Sequence, residues 1–220
     1  MTGATTDPDE LLEVFDKQGR ATGRAKTRGA IHHEGLWHLA FFCWIVTSAG
    51  DVVLQKRAAS KDVWPGRFDA SAAGHVRFGE TIAQAAREIE EELGLVVDYA
   101  ALVPVMRHRQ EHVHDNGLVD RELHDVHLLR SDLPLEDYRP GPEVSGLAAV
   151  QLRALVELAQ RTRLEIPTTL VTFDAEGRAT RTAMVLHRED LVPYDVGYYS
   201  AIALAAAALP QSGRASMARL

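Results

Sequence analysis

The sequence predicts an α+β fold or an α/β/α sandwich. Three observations carry that prediction. Residues 36–47, LWHLAFFCWIVT, are an apolar and aromatic run of strand length, rich in types that suit a buried pleated surface. Turn-bounded or alternating stretches lie on both sides of it, among them VVLQKR and ELHDVHLL. Residues 81–93 are rich in alanine and glutamate, hold no Gly or Pro and stop at Gly94, which is a helix with its C-cap. Strands mixed with a few helices, without repeats or a low-complexity linker, predict one domain over residues 1–220.

Taken in order, LLEVFD, KQGR and ATGRAK predict a hairpin that turns at Lys17–Arg20. The buried strand at 36–47 follows, then a turn at SAGD and its hairpin mate VVLQKR. KDVWPGRFD breaks at Pro65 and Gly66, and DASAAGHV is small and extended. After the helix, LVVDYAALVPVMRHRQ holds further strands, and HDNGLV carries an Asn-Gly hairpin turn into ELHDVHLL. Glu143–Leu152 predicts a strand, 153–161 a helix, 164–188 a hairpin around DAEGR, and a last helix begins near Val192. On this reading 1–30 are an N-terminal hairpin and lead-in, 31–152 the core, and 153–220 a hairpin and helix extension that caps the cleft.

Composition narrows the function. The chain has 220 residues, 46% apolar and 25% charged, with a net charge of -7. That charge argues against a nucleic-acid backbone as partner. One cysteine, Cys43, excludes a disulfide framework and a cysteine-based zinc site, and fits a reducing, cytoplasmic setting. The N-terminus is polar and acidic and does not read as a secretion signal. The late apolar run YYSAIALAAAAL is too short to span a bilayer, so no membrane partner is expected.

Four glutamates, Glu88, Glu90, Glu91 and Glu92, stand within five residues. On a helix, Glu88, Glu91 and Glu92 fall at i, i+3 and i+4 and share one face. Ile82, Ala86, Ile89 and Leu93 form the neighbouring apolar stripe, and Glu90 points elsewhere. Like charges at this spacing repel by about 0.2–0.5 kcal/mol per pair. A solvated acidic face tolerates that; a hard divalent cation such as Mg²⁺ or Mn²⁺ neutralises it.

The flanks bear on that choice. Gly74, Glu80, Arg87, Glu88, Glu91, Glu92 and Gly94 together resemble the Nudix box, the loop–helix–loop signature of metal-dependent hydrolases that split a nucleoside diphosphate linked to another group. The resemblance implies a Nudix-type α/β/α sandwich with a mixed central β-sheet and a loop–helix–loop metal site, with Mg²⁺, or Mn²⁺, held by Glu88, Glu91 and Glu92, and Arg87 orienting Glu88. It implies a small-molecule diphosphate as substrate and, as is common in the family, a homodimer. In one respect the chain departs: six residues, Thr81 to Ala86, separate Glu80 from Arg87 where the family has seven. A residue lost from a helix rotates what precedes it by about 100°. The placement of Gly79, Glu80 and the loop is therefore open, while Glu88, Glu91 and Glu92 keep their spacing.

A second resemblance spans residues 10–152. WHLAFFCWIV, LQKRAASKDVWPGRFDASAAGH and VDRELHDV are similar to parts of isopentenyl-diphosphate isomerase and its Nudix relatives. It implies a further metal site of His38, His75 and Glu122, with Asp120 and either His32 or His33. It also implies a diphosphate grip by Arg57 and Lys61, which charge-assisted hydrogen bonds would serve. The isomerase places a cysteine just before the Gly-His of SAAGH, where this chain has Ala73, and a tryptophan in a late strand that SGLAAVQL lacks. The expectation is therefore a pyrophosphohydrolase, with isomerase and non-catalytic diphosphate-binding module as the alternatives. Glu91, Glu92 or Glu122 is the general base. Trp37, Trp64 or Phe68 either plugs the core or covers the substrate. His108, His112 and His114 are expected on an exposed hairpin, and Cys43 in the core.

Overall fold

In the computed structural model, which describes residues 9–114 and 117–209, the chain opens with the hairpin β1 (Leu11–Phe15) and β2 (Ala21–Thr27). Helix α1 (Arg28–Glu34) follows, capped by the Thr27 hydroxyl, which accepts from the Ala30 amide. Next come β3 (Trp37–Val46), β4 (Asp51–Arg57), and the short β5 (Phe68–Asp69) and β6 (Ala72–His75). Helices α2 (Ile82–Ala85) and α3 (Glu88–Leu93) lead to the long hairpin β7 (Val103–Val113) and β8 (Val119–Arg130). The remainder is β9 (Val144–Gln151), α4 (Leu152–Ala159), β10 (Glu165–Phe173), β11 (Ala179–His187) and α5 (Val196–Ala208).

β3 organises the sheet. It runs parallel to β8 from Trp37↔Arg121 to Val46↔Arg130 and antiparallel to β6 from Ala40↔His75 to Cys43↔Ala72. It meets β4 antiparallel only at Ile45↔Val53 and Val46↔Val52, because β6 occupies the rest of that edge. The sheet is thus mixed, as expected, and β4 continues through β9 and β10 to the outer strand β11. Side chains of a strand alternate between faces, and β3 buries both. Phe41, Cys43 and Ile45 pack with Ala85, Ile89 and Leu93 of α2 and α3. Phe42, Trp44 and Val46 pack with Leu155 and Leu158 of α4 and Tyr198, Tyr199 and Ile202 of α5. Helices therefore cover both faces, which is the sandwich. Each fully buried residue of this size contributes about 1.5–3 kcal/mol.

Three details differ from the sequence reading. The helix expected over 81–93 is two pieces joined by a tight turn at Ala86–Arg87, where Arg87, Ile89 and Glu90 donate their amides to carbonyls three residues back. Residues 95–102 hold no long strand and carry a short 3₁₀ turn at Tyr99–Ala101. The last helix starts at Val196, capped by Asp195, because Pro193 lies just before it. Asn116, the first residue of the expected Asn-Gly turn, lies outside the described residues. Cys43 is buried and unpaired with sulfur. Among the described residues no helix is long and apolar enough to cross a membrane.

Candidate active site and metal centre

A cleft of about 230 Å³ opens where β3, β6, β8 and α3 converge. Glu88, Glu91 and Glu92 line it from α3, Gly74 and His75 from β6, and Asp120, Glu122 and His124 from β8. Arg57 and Lys61 close it from β4 and the loop that follows.

The helix carboxylates share the cleft but not one environment. Glu92 is 3% exposed, and its Oε2 accepts from Gln55 Nε2 and the Ala73 amide, both at 2.8 Å. Burial pushes its carboxyl up to about 8, against the pull of Lys61. Glu88 is pushed up to about 7, again chiefly by burial, although Arg87 pairs with it. Glu88 lies directly over Gly74, where a Cβ would overlap its carboxyl group and force it to move. Glu91 stands at the rim with its side chain 40% exposed, 2.9 Å from Arg87 Nη1. Glu90 is exposed and does not line the cleft.

The short spacing before Arg87 does not detach Glu80. Arg87 Nε donates to Glu80 Oε1 at 2.8 Å, and its guanidinium also reaches Glu88 and Glu91. The tight turn explains this: bonds of the i→i−3 kind turn the chain by about 120° per residue in place of 100°, which recovers part of the lost rotation. Gly94 ends the helix in the left-handed conformation, φ 68°.

A second cluster of histidines and carboxylates lies beside the first. His32, His38 and His75 bring three ring nitrogens within 4.8 Å of one another, and so do the donors of His38, Asp120 and Glu122. His38 Nε2 lies 3.6 Å and His75 Nε2 3.4 Å from Glu122 Oε1. His32 Nε2, His38 Nε2 and Asp120 Oδ1 are buried with no hydrogen-bond partner among the described residues. A buried polar atom without a partner is costly, and three that converge fit a bound cation. Glu122 is held well below the usual carboxylate range: burial opposes this, but His124, hydrogen-bonded to it at 2.8 Å, and the nearby His38 and His75 prevail. Burial and the Glu122 charge push Asp120 up. Burial lowers His75, yet Glu10 and Glu122 carry it up to about 9, while burial and the neighbouring imidazoles take His32 down to about 3. His33 is exposed and apart from the cluster.

The basic residues reach the cleft already engaged. Arg57 donates to Asp69 Oδ2 at 2.9 Å and to the Val63 carbonyl at 3.1 Å, and Lys61 pairs with Glu143. Of the aromatics, Phe68 is a core plug at 2% exposure, and Trp37 is buried with Arg109 over its ring. Trp64 lines the cleft, with backbone φ 52°. His108, His112 and His114 are not on an exposed face. His108 and His112 point inward from β7, onto Tyr198 and Trp64, because the strand's alternation turns its even positions toward the sheet's covered side, and His114, just past the strand's end, also meets Trp64. Several cleft residues had no signal strong enough to find in advance. Gln55 and Asp69 lie within the quoted LQKRAASKDVWPGRFDASAAGH stretch but carried no assigned role there; Glu10, Arg28, Glu143 and Tyr194 belong to no quoted motif.

Comparison with known proteins agrees with this architecture. The NUDIX domain family profile matches residues 36–169, more than half of the chain. An uncharacterized Nudix hydrolase of Clostridium acetobutylicum is 32% identical over 199 residues, 88% of this chain and 95% of that protein. An isopentenyl-diphosphate Delta-isomerase of Cutibacterium acnes is 33% identical over 165 residues, 72% of this chain and 82% of the isomerase. Among solved structures, DR0079 from Deinococcus radiodurans superposes with a TM-score of 0.52 at 20% identity, covering 79% of this chain and 93% of that one, a likeness of fold.

Proposed function

The chain belongs to the Nudix family and is a hydrolase of pyrophosphate bonds, and from that premise we propose a metal-dependent enzyme for a small organic diphosphate, such as a nucleoside diphosphate derivative. The observation that carries this reading is one cleft shared by Glu88, Glu91 and Glu92, by the His38–Asp120–Glu122 set, and by Arg57 and Lys61. Glu88, Glu91 and Glu92 would hold Mg²⁺ or Mn²⁺, and His32, His38, His75, Asp120 and Glu122 a further cation. When bound, such a cation neutralises diphosphate oxygens and makes a nearby water more acidic. Arg87 fixes Glu88 and Glu91, and the absence of a side chain at Gly74 leaves Glu88 its place. Arg57 and Lys61 grip the far phosphate through charge-assisted hydrogen bonds. Of the three candidate bases, Glu91 is the one we assign. It stands open to water, whereas one oxygen of Glu92 is committed to two donors and Glu122 is bonded to His124 and crowded by His38 and His75.

The isomerase reading draws support from the 33% identical relative and from the histidine–carboxylate cluster. Against it stands Ala73, whose methyl group lines the cleft where that chemistry needs a thiol, and a β9 without tryptophan. Phosphate release from a panel of nucleoside diphosphates, sugar nucleotides, thiamine diphosphate and prenyl diphosphates, with Mg²⁺, decides between them. No release from any, together with conversion of isopentenyl to dimethylallyl diphosphate, would overturn the hydrolase assignment.

A further inference from the structure

The segment after β11 lies outside the matched NUDIX region, yet it is stitched to the cleft. Arg67 donates to the carbonyls of Glu189 and Leu191, and the Val192 amide donates to the Phe68 carbonyl. These contacts set Val192 and Tyr194 into the cleft wall. Tyr194 is 5% exposed, stacked on Tyr198 with ring centroids 4.5 Å apart and edge-on to His124. Its hydroxyl donates to Asp69 Oδ1 at 2.5 Å. The Ala70 amide donates to the same oxygen at 2.7 Å. Only Oδ2 is left for Arg57, whose Nη1 reaches it at 2.9 Å.

We propose that Tyr194 is a positioning residue for substrate binding: by occupying Asp69 Oδ1 it keeps Arg57 bound to Asp69 through one oxygen only, so that the guanidinium presents its remaining donors to the diphosphate. The inference rests on the reading of Arg57 as a diphosphate grip. A guanidinium carries five N–H donors, and here Nε and one Nη1 proton are taken, by Val63 and Asp69. A carboxylate with both oxygens free pairs with arginine as a two-pronged fork. Without the tyrosine hydroxyl, Oδ1 has room for a second guanidinium proton, and Arg57 turns toward Asp69 and away from the substrate. Burial and the Asp69 charge hold the Tyr194 hydroxyl well above the usual tyrosine range, so it remains a donor throughout the working pH range.

Tyr199 supplies the control. It is equally buried, and its hydroxyl donates to the Val192 carbonyl at 3.0 Å without touching Asp69. Three variants, Tyr194→Phe, Tyr199→Phe and Arg57→Ala, and the double variant of positions 57 and 194 are compared with the full chain in Mg²⁺. The readouts are KM and kcat on the substrate found by the panel, and the dissociation constant of inorganic pyrophosphate by calorimetry. Tyr194→Phe should raise KM and the pyrophosphate constant about tenfold, a 1.4 kcal/mol loss, with kcat within threefold. Tyr199→Phe should move neither, and Tyr194→Phe should add less than twofold when Arg57 is already alanine. Equal effects from the two tyrosines, or multiplying effects of the 57 and 194 changes, would overturn the inference. If Arg57→Ala weakens pyrophosphate and Tyr194→Phe does not, the tyrosine link alone fails. If Arg57→Ala leaves pyrophosphate binding unchanged, the reading of the grip fails and takes the link with it.

Discussion

Glu88 lies across the backbone of Gly74 so closely that a Cβ on that glycine would overlap the Glu88 carboxyl group. The glycine is therefore required by its neighbour and not by its own backbone angle. It lets β6 and α3 approach, and the approach buries Glu88 and raises its carboxyl to about 7.

Gly74→Ala should displace Glu88 and cost hundredfold or more in kcat/KM. Overpacking of this kind destabilises by about 1–3 kcal/mol. Turnover and a melting curve check it; an alanine variant with normal turnover would show that Glu88 need not sit where it does.

Glu92→Gln keeps the size of the side chain and an acceptor for Gln55 and Ala73 but removes the charge. Turnover should fall about a hundredfold or more, near 3 kcal/mol in the barrier. Glu90→Gln, on the exposed face, should stay within about threefold, since a solvated carboxylate acts weakly through water. Equal losses in the two variants would contradict the orientation of α3.

These contrasts also show how far the sequence reaches. β3 was legible because a ten-residue strand with nine residues buried, on both faces, leaves an apolar run that few other structures explain. The identity of the α3 carboxylates was legible because helical spacing is local, and the Nudix-box pattern supplied their context. The break at Ala86–Arg87 was not, because nothing in TIAQAAREI disfavours a continuous helix; the turn is imposed by Arg87 reaching Glu80 on one side and Glu88 on the other. The inward turn of His112 and His114 was missed for a related reason. Which face of β7 is covered depends on the distant Trp64 and α5, not on β7 itself. Tyr194 lies 125 residues from Asp69, too far for any local pattern.

Chelation should abolish activity, and Mg²⁺ or Mn²⁺ should restore it, because the cleft carboxylates and a diphosphate are all anionic. His38→Ala should weaken Mn²⁺ binding by about tenfold or more, measured by calorimetry, since it removes the nitrogen common to both ligand sets. Full turnover after dialysis against excess EDTA would end the metal-dependent reading.

Restoring a thiol by Ala73→Cys should not yield efficient isomerase activity. The new side chain would lie beside Glu92, which bonds the residue 73 amide, but β9 still lacks an aromatic ring to shield a carbocation. Product analysis with isopentenyl diphosphate tests this; rapid conversion by the unmodified protein or by the variant would place the chain with its isomerase relatives.

Without metal, the cleft should make the protein less stable as pH rises. An acid whose folded pKa is raised binds its proton in the folded state over a range where the unfolded chain has lost it, so folding loses free energy as pH climbs through that range. For Glu92 the range runs from the ordinary 4.5 to about 8, and for Glu88 to about 7. His75 acts in the same direction: raised from 6.5 to about 9, it contributes stability fully below 6.5 that is lost as pH passes 9. His32 acts oppositely, but its range, from about 3 to 6.5, ends before the neutral region. In EDTA the melting temperature should therefore fall between pH 6 and pH 9. Glu92→Gln should flatten the lower part of that fall, up to about pH 8, and leave the part due to His75. Divalent metal should reverse the trend, because ligands bind it in their deprotonated forms and affinity grows as protons leave. Melting curves with and without Mn²⁺ across this pH range test all three statements. A metal-free protein whose melting temperature rises toward pH 9 would mean that Glu88 and Glu92 are already ionised in the fold.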